Sequence, residues 1–248
     1  MFKKILLIVC CFIGTFSVNA QTDSSGLQIS LLTCGTGDEI WAQFGHTAVR
    51  VVDSNNGTDL VYNYGTFSFG EGFEVQFMRG KLLYYVSYYP YEIFLEEYKY
   101  EQRSVVEQVL HLKADEKRAI QYYLVNNAKE ENKYYKYDFF FDNCATRIRD
   151  IFPKVLGSSF QFGQTLPTDH NVTYRDVMNQ YFYIKHFERV GCNILLGSKI
   201  DKPMSNTDVM WVPDFLMKGI ETGTVNGEPI ADKAQTIVPE GVKRTEST

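Results

Sequence analysis

The chain reads as an α+β domain in which an antiparallel sheet packs against helices. Three observations predict it. An Asn55-Asn56-Gly57 loop separates two strand-like runs, 45–52 and 60–64, in the manner of a β-hairpin. Residues 114–128 open on Ala114-Asp115-Glu116 and continue as an amphipathic helix. An aromatic run ending Phe139-Phe140-Phe141 gives way, past Asp142-Asn143-Cys144, to helical spacing of Ala145, Ile148, Ile151 and Phe152.

Composition sets the outer limits. A length of 248 residues with 44% hydrophobic content suits one globular domain with ample core material. Tyr and Phe, 17 and 18 of them, favour strands. A net charge of −5 argues against a nucleic-acid partner, which needs a basic face. Lys3 and Lys4, the apolar run 5–16 and the small-residue site Val18-Asn19-Ala20 form a signal peptide over 1–20, too short to span a bilayer comfortably. The expected mature protein is exported, starts at Gln21 and has lost two lysines, which takes its charge from −5 to −7. Residues 21–221 read as the domain and 222–248 as a polar extension, a hairpin followed by a tail. The mature chain keeps Cys34, Cys144 and Cys192. An odd number leaves at least one thiol free; a Cys34–Cys192 disulfide and buried thiols are both open.

In chain order, 27–34 reads as a strand, 35–39 as a turn and 40–44 as a short helical turn. The hairpin strands 45–52 and 60–64 follow. Residues 65–72 form a glycine- and aromatic-rich loop, and 73–80 read as helical or irregular. The run 81–89 is a strand, whose aromatics suit cross-strand pairing first and an acyl groove or a membrane surface second. Pro90 opens a helix to about Tyr100. Residues 104–112 alternate as a strand with one wet face, and 134–141 form a strand feeding the Cys144 helix. Further on, 165–170 is a polar turn, 174–183 a helix, 192–196 a short apolar run and 197–206 a loop. Val212-Pro213-Asp214 caps a last helix over 215–220. No transmembrane segment follows the signal.

Cys144 falls in the first turn of its helix, with Asp142 or Asn143 as N-cap. Free backbone N–H groups and the helix dipole there favour a thiolate. A cysteine nucleophile needs a base, and the base an orienting acceptor. His111, His170 and His186 read as surface residues. His46 follows Gly45, where the backbone can approach closely, and opens a buried-looking strand. Its hairpin partner ends at Asn63 and Tyr64, so Asn63 or Tyr64 meets it. A satisfied core histidine is the plainer alternative. There is no Cys-x-x-Cys or His-x-x-x-His pair for a metal, no glycine-rich phosphate loop and no serine-hydrolase elbow.

The segments Thr33-Cys34-Gly35-Thr36-Gly37-Asp38-Glu39, Phe44-Gly45-His46-Thr47-Ala48-Val49-Arg50-Val51, Tyr62-Asn63-Tyr64-Gly65 and Asp142-Asn143-Cys144-Ala145-Thr146-Arg147 occur in this order. With Phe77-Met78-Arg79-Gly80, Thr173-Tyr174-Arg175-Asp176 and Leu196-Gly197-Ser198-Lys199, they resemble the Lnb-like N-terminal periplasmic domain family over roughly residues 28–220. The resemblance implies a circularly permuted papain-like fold in which the histidine strand precedes the cysteine helix, here by 98 residues (144 − 46). It implies an exported, periplasmic location and membrane association, because the membrane-anchored acyltransferases it resembles carry transmembrane helices after this domain. It also implies lipoprotein N-acyltransfer through a thioester, with a lipoprotein or acyl-lipid substrate and no cofactor. By position Cys144 is the nucleophile and His46 the base. Asn63 is the orienting residue, ahead of Tyr64. The Cys144 N–H, with a neighbour such as Asn143, would hold the oxyanion, and Asp142 stands beside them. A papain-like hydrolase and an inactive binding module are the alternatives.

Overall fold

Two interleaved sets of side chains organise the molecule, one for each face of a sheet. The structure is a computed structural model that describes residues 24–67, 83–167 and 171–241. The signal peptide, the expectations for 68–82 and His170 lie outside these residues. Strands β1 (Leu27–Cys34), β2 (His46–Asp53), β3 (Thr58–Thr66), β4 (Leu83–Pro90), β5 (Val105–Val109) and β6 (Tyr134–Lys136) contribute to the main sheet. Short strands β7 (Phe160–Gln161), β8 (Thr224–Val225) and β9 (Glu228–Pro229) form a separate small sheet. Strand β10 (Gln235–Val238) completes the seven-stranded order β10-β5-β1-β2-β3-β4-β6, antiparallel throughout.

The β2–β3 turn is closed by Asp53. Its carboxylate accepts the N–H of Asn55 at 3.0 Å and of Asn56 at 3.3 Å, and Gly57 takes a positive φ of 64°. This fixes the register at Asp53↔Thr58 and, at the far end, Ala48↔Asn63. Ile29, Leu31, Val49, Val51, Tyr62 and Tyr64 point to one face. There they meet α2 (Ala114–Asn127) and α3 (Cys144–Leu156), whose Ile120, Leu124, Ile148 and Ile151 are fully buried. The opposite face, Leu32, Cys34, Ala48 and Val61, is covered by α1 (Tyr91–Tyr100) through Tyr91, Phe94 and Tyr98. Helices α4 (Tyr174–Tyr181), α5 (His186–Leu196) and α6 (Pro213–Glu221) follow.

Several expectations from sequence are corrected. The strand over 104–112 has no wet face: Glu107 and Gln108 are buried because β5 lies between β10 and β1. Glu107 is tolerated there by Arg50, which bonds its carboxylate at 3.0 Å, holds Asp59 at 2.6 Å and stacks 3.5 Å from the Tyr91 ring centre. The strand over 134–141 stops at Lys136. There the Asp138 carboxylate captures the N–H groups of Phe140 and Phe141 at 3.0 and 3.1 Å, so a turn replaces extended backbone. The short apolar run 192–196 is the end of helix α5. The expected polar extension contains its hairpin, β8–β9 around Asn226-Gly227, but also β10, which joins the main sheet beside β5. Cys34, Cys144 and Cys192 are all free thiols, which removes the Cys34–Cys192 disulfide. No helix among the described residues is long and apolar enough to cross a membrane.

The Arg50 cluster gives a stability test. Glu107→Ala leaves a guanidinium whose side chain is only 17% exposed with Asp59 as its one carboxylate partner and is expected to cost about 2 kcal/mol in urea unfolding. Asp59→Ala, at a carboxylate 37% exposed, is expected to cost about 1 kcal/mol. Equal losses would show that the two carboxylates share the charge evenly.

Candidate active site

A single amide sets the start of α3. The Asp138 turn is closed by paired backbone bonds between Asp138 and Asp142, at 3.1 and 2.9 Å, and delivers the chain to Asn143. The Asn143 Oδ1 accepts the Thr146 N–H at 2.9 Å, and the Thr146 hydroxyl accepts the Asn143 N–H at 2.8 Å, a reciprocal cap. The Asn143 Nδ2 donates to Phe139 O at 2.9 Å and to Trp211 O at 2.8 Å. Cys144 is therefore the first residue of the helix, partly buried, with its backbone anchored on both sides.

His46 is placed by the glycine before it. Gly45 has φ of +78°, and a Cβ there would sit 2.4 Å from Cys34 O. Only glycine lets β2 begin so close to the end of β1, where Cys34 pairs with His46. The ring Nε2 lies 3.1 Å from Asn63 Oδ1 across the hairpin. An amide oxygen can only accept, so neutral His46 carries its proton on Nε2 and keeps the Nδ1 lone pair. The amide nitrogen of Asn63 makes no well-formed hydrogen bond among the described residues, although the Tyr89 phenol lies near enough to feel it.

His46, Asn63, Tyr64, Gly65 and Cys144 line one cleft of about 530 Å³. One wall is aromatic, with Trp41, Phe44, Phe139 and Trp211; another is charged, with Glu97, Glu101 and Arg103. The Cys144 sulfur faces the N–H groups of Thr47, Ala145 and Cys144 itself. Thr47 directly follows His46, so the thiol stands against the strand that carries the histidine. Gly65, with φ of +91°, approaches the other side: a Cβ there would lie 3.7 Å from the Cys144 Cβ.

Charge states differ from the sequence expectation. Burial pushes the Cys144 thiol above its ordinary value, and this outweighs the three N–H groups and Arg103, which pull it down. Burial lowers His46 to about 4, against the Asn63 hydrogen bond, with Arg103 lowering it further. The resting pair is thus a neutral thiol and a neutral imidazole at pH 7. Cys34, deeply buried beside Tyr98, is pushed up to about 12 and is inert.

Among the other expected site residues, Tyr64 lines the cleft, but it is the Asn63 side chain that bonds His46; the buried Tyr64 hydroxyl has no hydrogen-bond partner among the described residues. Asn143 is corrected from an oxyanion donor to a cap, since both its amide hydrogens are already donated to carbonyls. Asp142 turns away to pair with Arg147. Sequence reading missed Thr47, Gly65 and Arg103. Gly65 was visible as a glycine after the hairpin strand. Arg103 gave no signal: it is fixed by tertiary contacts, with Nε on Gly35 O at 2.9 Å, Nη1 on Glu101 at 2.7 Å and its guanidinium 4.8 Å from the Tyr98 ring centre. No group of three or more metal-ligating side chains occurs among the described residues.

A thiol held neutral has a measurable signature. Iodoacetamide labelling of Cys144 in the folded protein is expected to be slow at pH 7 and to climb about tenfold per pH unit through the alkaline range without an early plateau. His46→Ala is expected to leave that curve nearly unchanged. A fast plateau at pH 6 that disappears in His46→Ala would instead establish a thiolate–imidazolium pair.

No curated protein and no solved structure matches the chain. Residues 16–180 match the family model of the Lnb N-terminal periplasmic domain. This stretch contains both the His46–Asn63 hairpin and the Cys144 helix, and the chain belongs to the Lnb N-terminal periplasmic domain family.

Proposed function

We propose that this periplasmic domain is a thiol-dependent acyltransferase that moves an acyl chain to the N-terminal amine of a lipoprotein, on a circularly permuted papain-like fold. The observation that carries the reading is the His46 Nε2 bond to Asn63 Oδ1 in the same cleft as a cysteine at a helix N-terminus. It orients an imidazole with a free Nδ1 lone pair, which is what a neutral thiol needs from a base. The aromatic wall suits an acyl chain, and the Glu97 and Glu101 side suits a cationic amine.

In the first step His46 Nδ1 takes the Cys144 proton as sulfur attacks the acyl ester carbonyl. The Cys144 N–H stabilises the oxyanion. The C–S bond forms, the ester C–O bond breaks, and the proton passes from His46 to the departing glyceryl oxygen. In the second step the amine nitrogen attacks the thioester. The C–N bond forms, the C–S bond breaks, and the amine's proton returns through His46 to sulfur. Asn63 positions the ring throughout. Hydrolysis is the second reading, favoured by the charged side of the cleft; water then replaces the amine and releases a free fatty acid.

Mass spectrometry of a diacylated lipopeptide incubated with the mature protein tests both. The expected product carries one acyl chain on nitrogen and one on the glyceryl group. Cys144→Ala is expected to abolish it, His46→Ala to lower turnover by about 10³-fold, and Asn63→Ala by about tenfold. Because protonated His46 cannot act as base, activity should be lost as pH falls through about 4. Free fatty acid without N-acyl product would assign the site to hydrolysis. Near wild-type turnover in Cys144→Ala would remove both readings.

A further inference from the structure

Helix α5 is amphipathic and stands the wrong way round for a core helix. None of its residues is buried. Its attached edge is mixed: Cys192 and Leu196 pack against the core from partly buried positions, Asn193 bonds Arg175, its Nδ2 donates to Asn179 Oδ1 at 2.7 Å, and Arg175 also donates to Gly197 O at 2.6 Å. Its larger apolar side chains face out: Phe187, Val190, Ile194 and Leu195 are exposed, Phe187 by 93% and Leu195 by 87%, and Tyr183 and Ile184, just before the helix, are exposed too. A contiguous outward apolar stripe at helical spacing is unusual for a surface that meets only water.

The charges around the stripe select its occupant. Within 183–202 stand four cations, Lys185, Arg189, Lys199 and Lys202, against two carboxylates, Glu188 and Asp201. Asp201 is already held by Arg175. A locally basic apolar helix in a chain of net charge −5 is complementary to an anionic surface. A two-fold pairing with a second copy would set the same cations against themselves. The segment leading into the helix borders the loop beside the cleft. Lys185 donates to Asp38 O on the loop leading to Trp41, and Gln43 donates to Tyr181 O at 2.8 Å. Trp41 and Ile93, both half exposed, carry the apolar surface onto the cleft lining.

We infer that α5 is an interfacial helix that docks the domain on an anionic lipid bilayer, apolar stripe inserted and lysines at the headgroups, with the cleft mouth toward the lipid. This does not depend on the proposed chemistry, since no residue of α5 lines the cleft.

Co-sedimentation of the mature protein with vesicles of phosphatidylcholine alone or mixed with phosphatidylglycerol tests it. The wild type is expected to partition onto the anionic vesicles. Phe187→Ser/Leu195→Ser, and separately Lys199→Glu/Lys202→Glu, are expected to weaken partitioning by about tenfold, with circular dichroism and melting unchanged because these side chains are exposed. Cys144→Ala should bind as the wild type does, so loss of catalysis and loss of docking are read separately. The inference is overturned if the wild type ignores anionic vesicles, or if the serine variant binds them equally well. It is also overturned if sedimentation shows a dimer that the serine variant abolishes while lipid has no effect; the stripe then belongs to a second copy.

Discussion

The hydrogen bonds of the Asn143 side chain are the constraint on which the site rests. One planar amide ties the Asp138 turn and the first turn of α3 that follows it to the distant segment at Trp211. Its oxygen and both its hydrogens are used. Cys144 is the next residue, so the geometry of this amide is inherited directly by the sulfur. A buried amide with every hydrogen bond satisfied is stiff, because any displacement leaves a polar group unpaired in a poorly solvated place. The cap therefore positions Cys144 and leaves Asn143 no free hydrogen to offer the cleft.

The other half of the cleft is built by a different means. His46 depends on a steric allowance, the missing side chain at Gly45 against the Cys34 carbonyl, and on the register imposed by the Asp53 turn. The two halves meet where Thr47 faces the Cys144 sulfur. A helix start and a hairpin, each fixed by a turn closed by its own side-chain hydrogen bonds, are thus brought together in a shared cleft.

Much of this was legible in the sequence, for local reasons. The hairpin followed from Asn56-Gly57 and the alternation around it, and Cys144 from the change in apolar period after Phe141. Gly45 before His46 carried its meaning openly. What stayed hidden was tertiary. Glu107 read as a wet strand residue because its partner Arg50 lies on another strand. Strand β10 read as tail because its pairing with β5 spans more than a hundred residues of chain. The choice between Asp142 and Asn143 as cap was undecidable from spacing, since Arg147 claims one and Thr146 the other. The direction of the Cys144 shift was missed because a helix N-terminus is visible in sequence and the burial that opposes it is not.

That neutral resting state has a bearing on survival outside the cytoplasm. Periplasmic proteins meet an oxidising milieu in which unpaired cysteines are continually drawn into exchange. The species that exchanges or oxidises is the thiolate, and its abundance falls as the thiol's pKa rises. Cys34 is sealed in the sheet, and Cys144 sits in an open cleft yet remains protonated. A domain with three unbridged cysteines can in this way keep the cleft sulfur reduced without a dedicated reductant, and in the proposed acyl transfer its deprotonation would wait for a bound substrate.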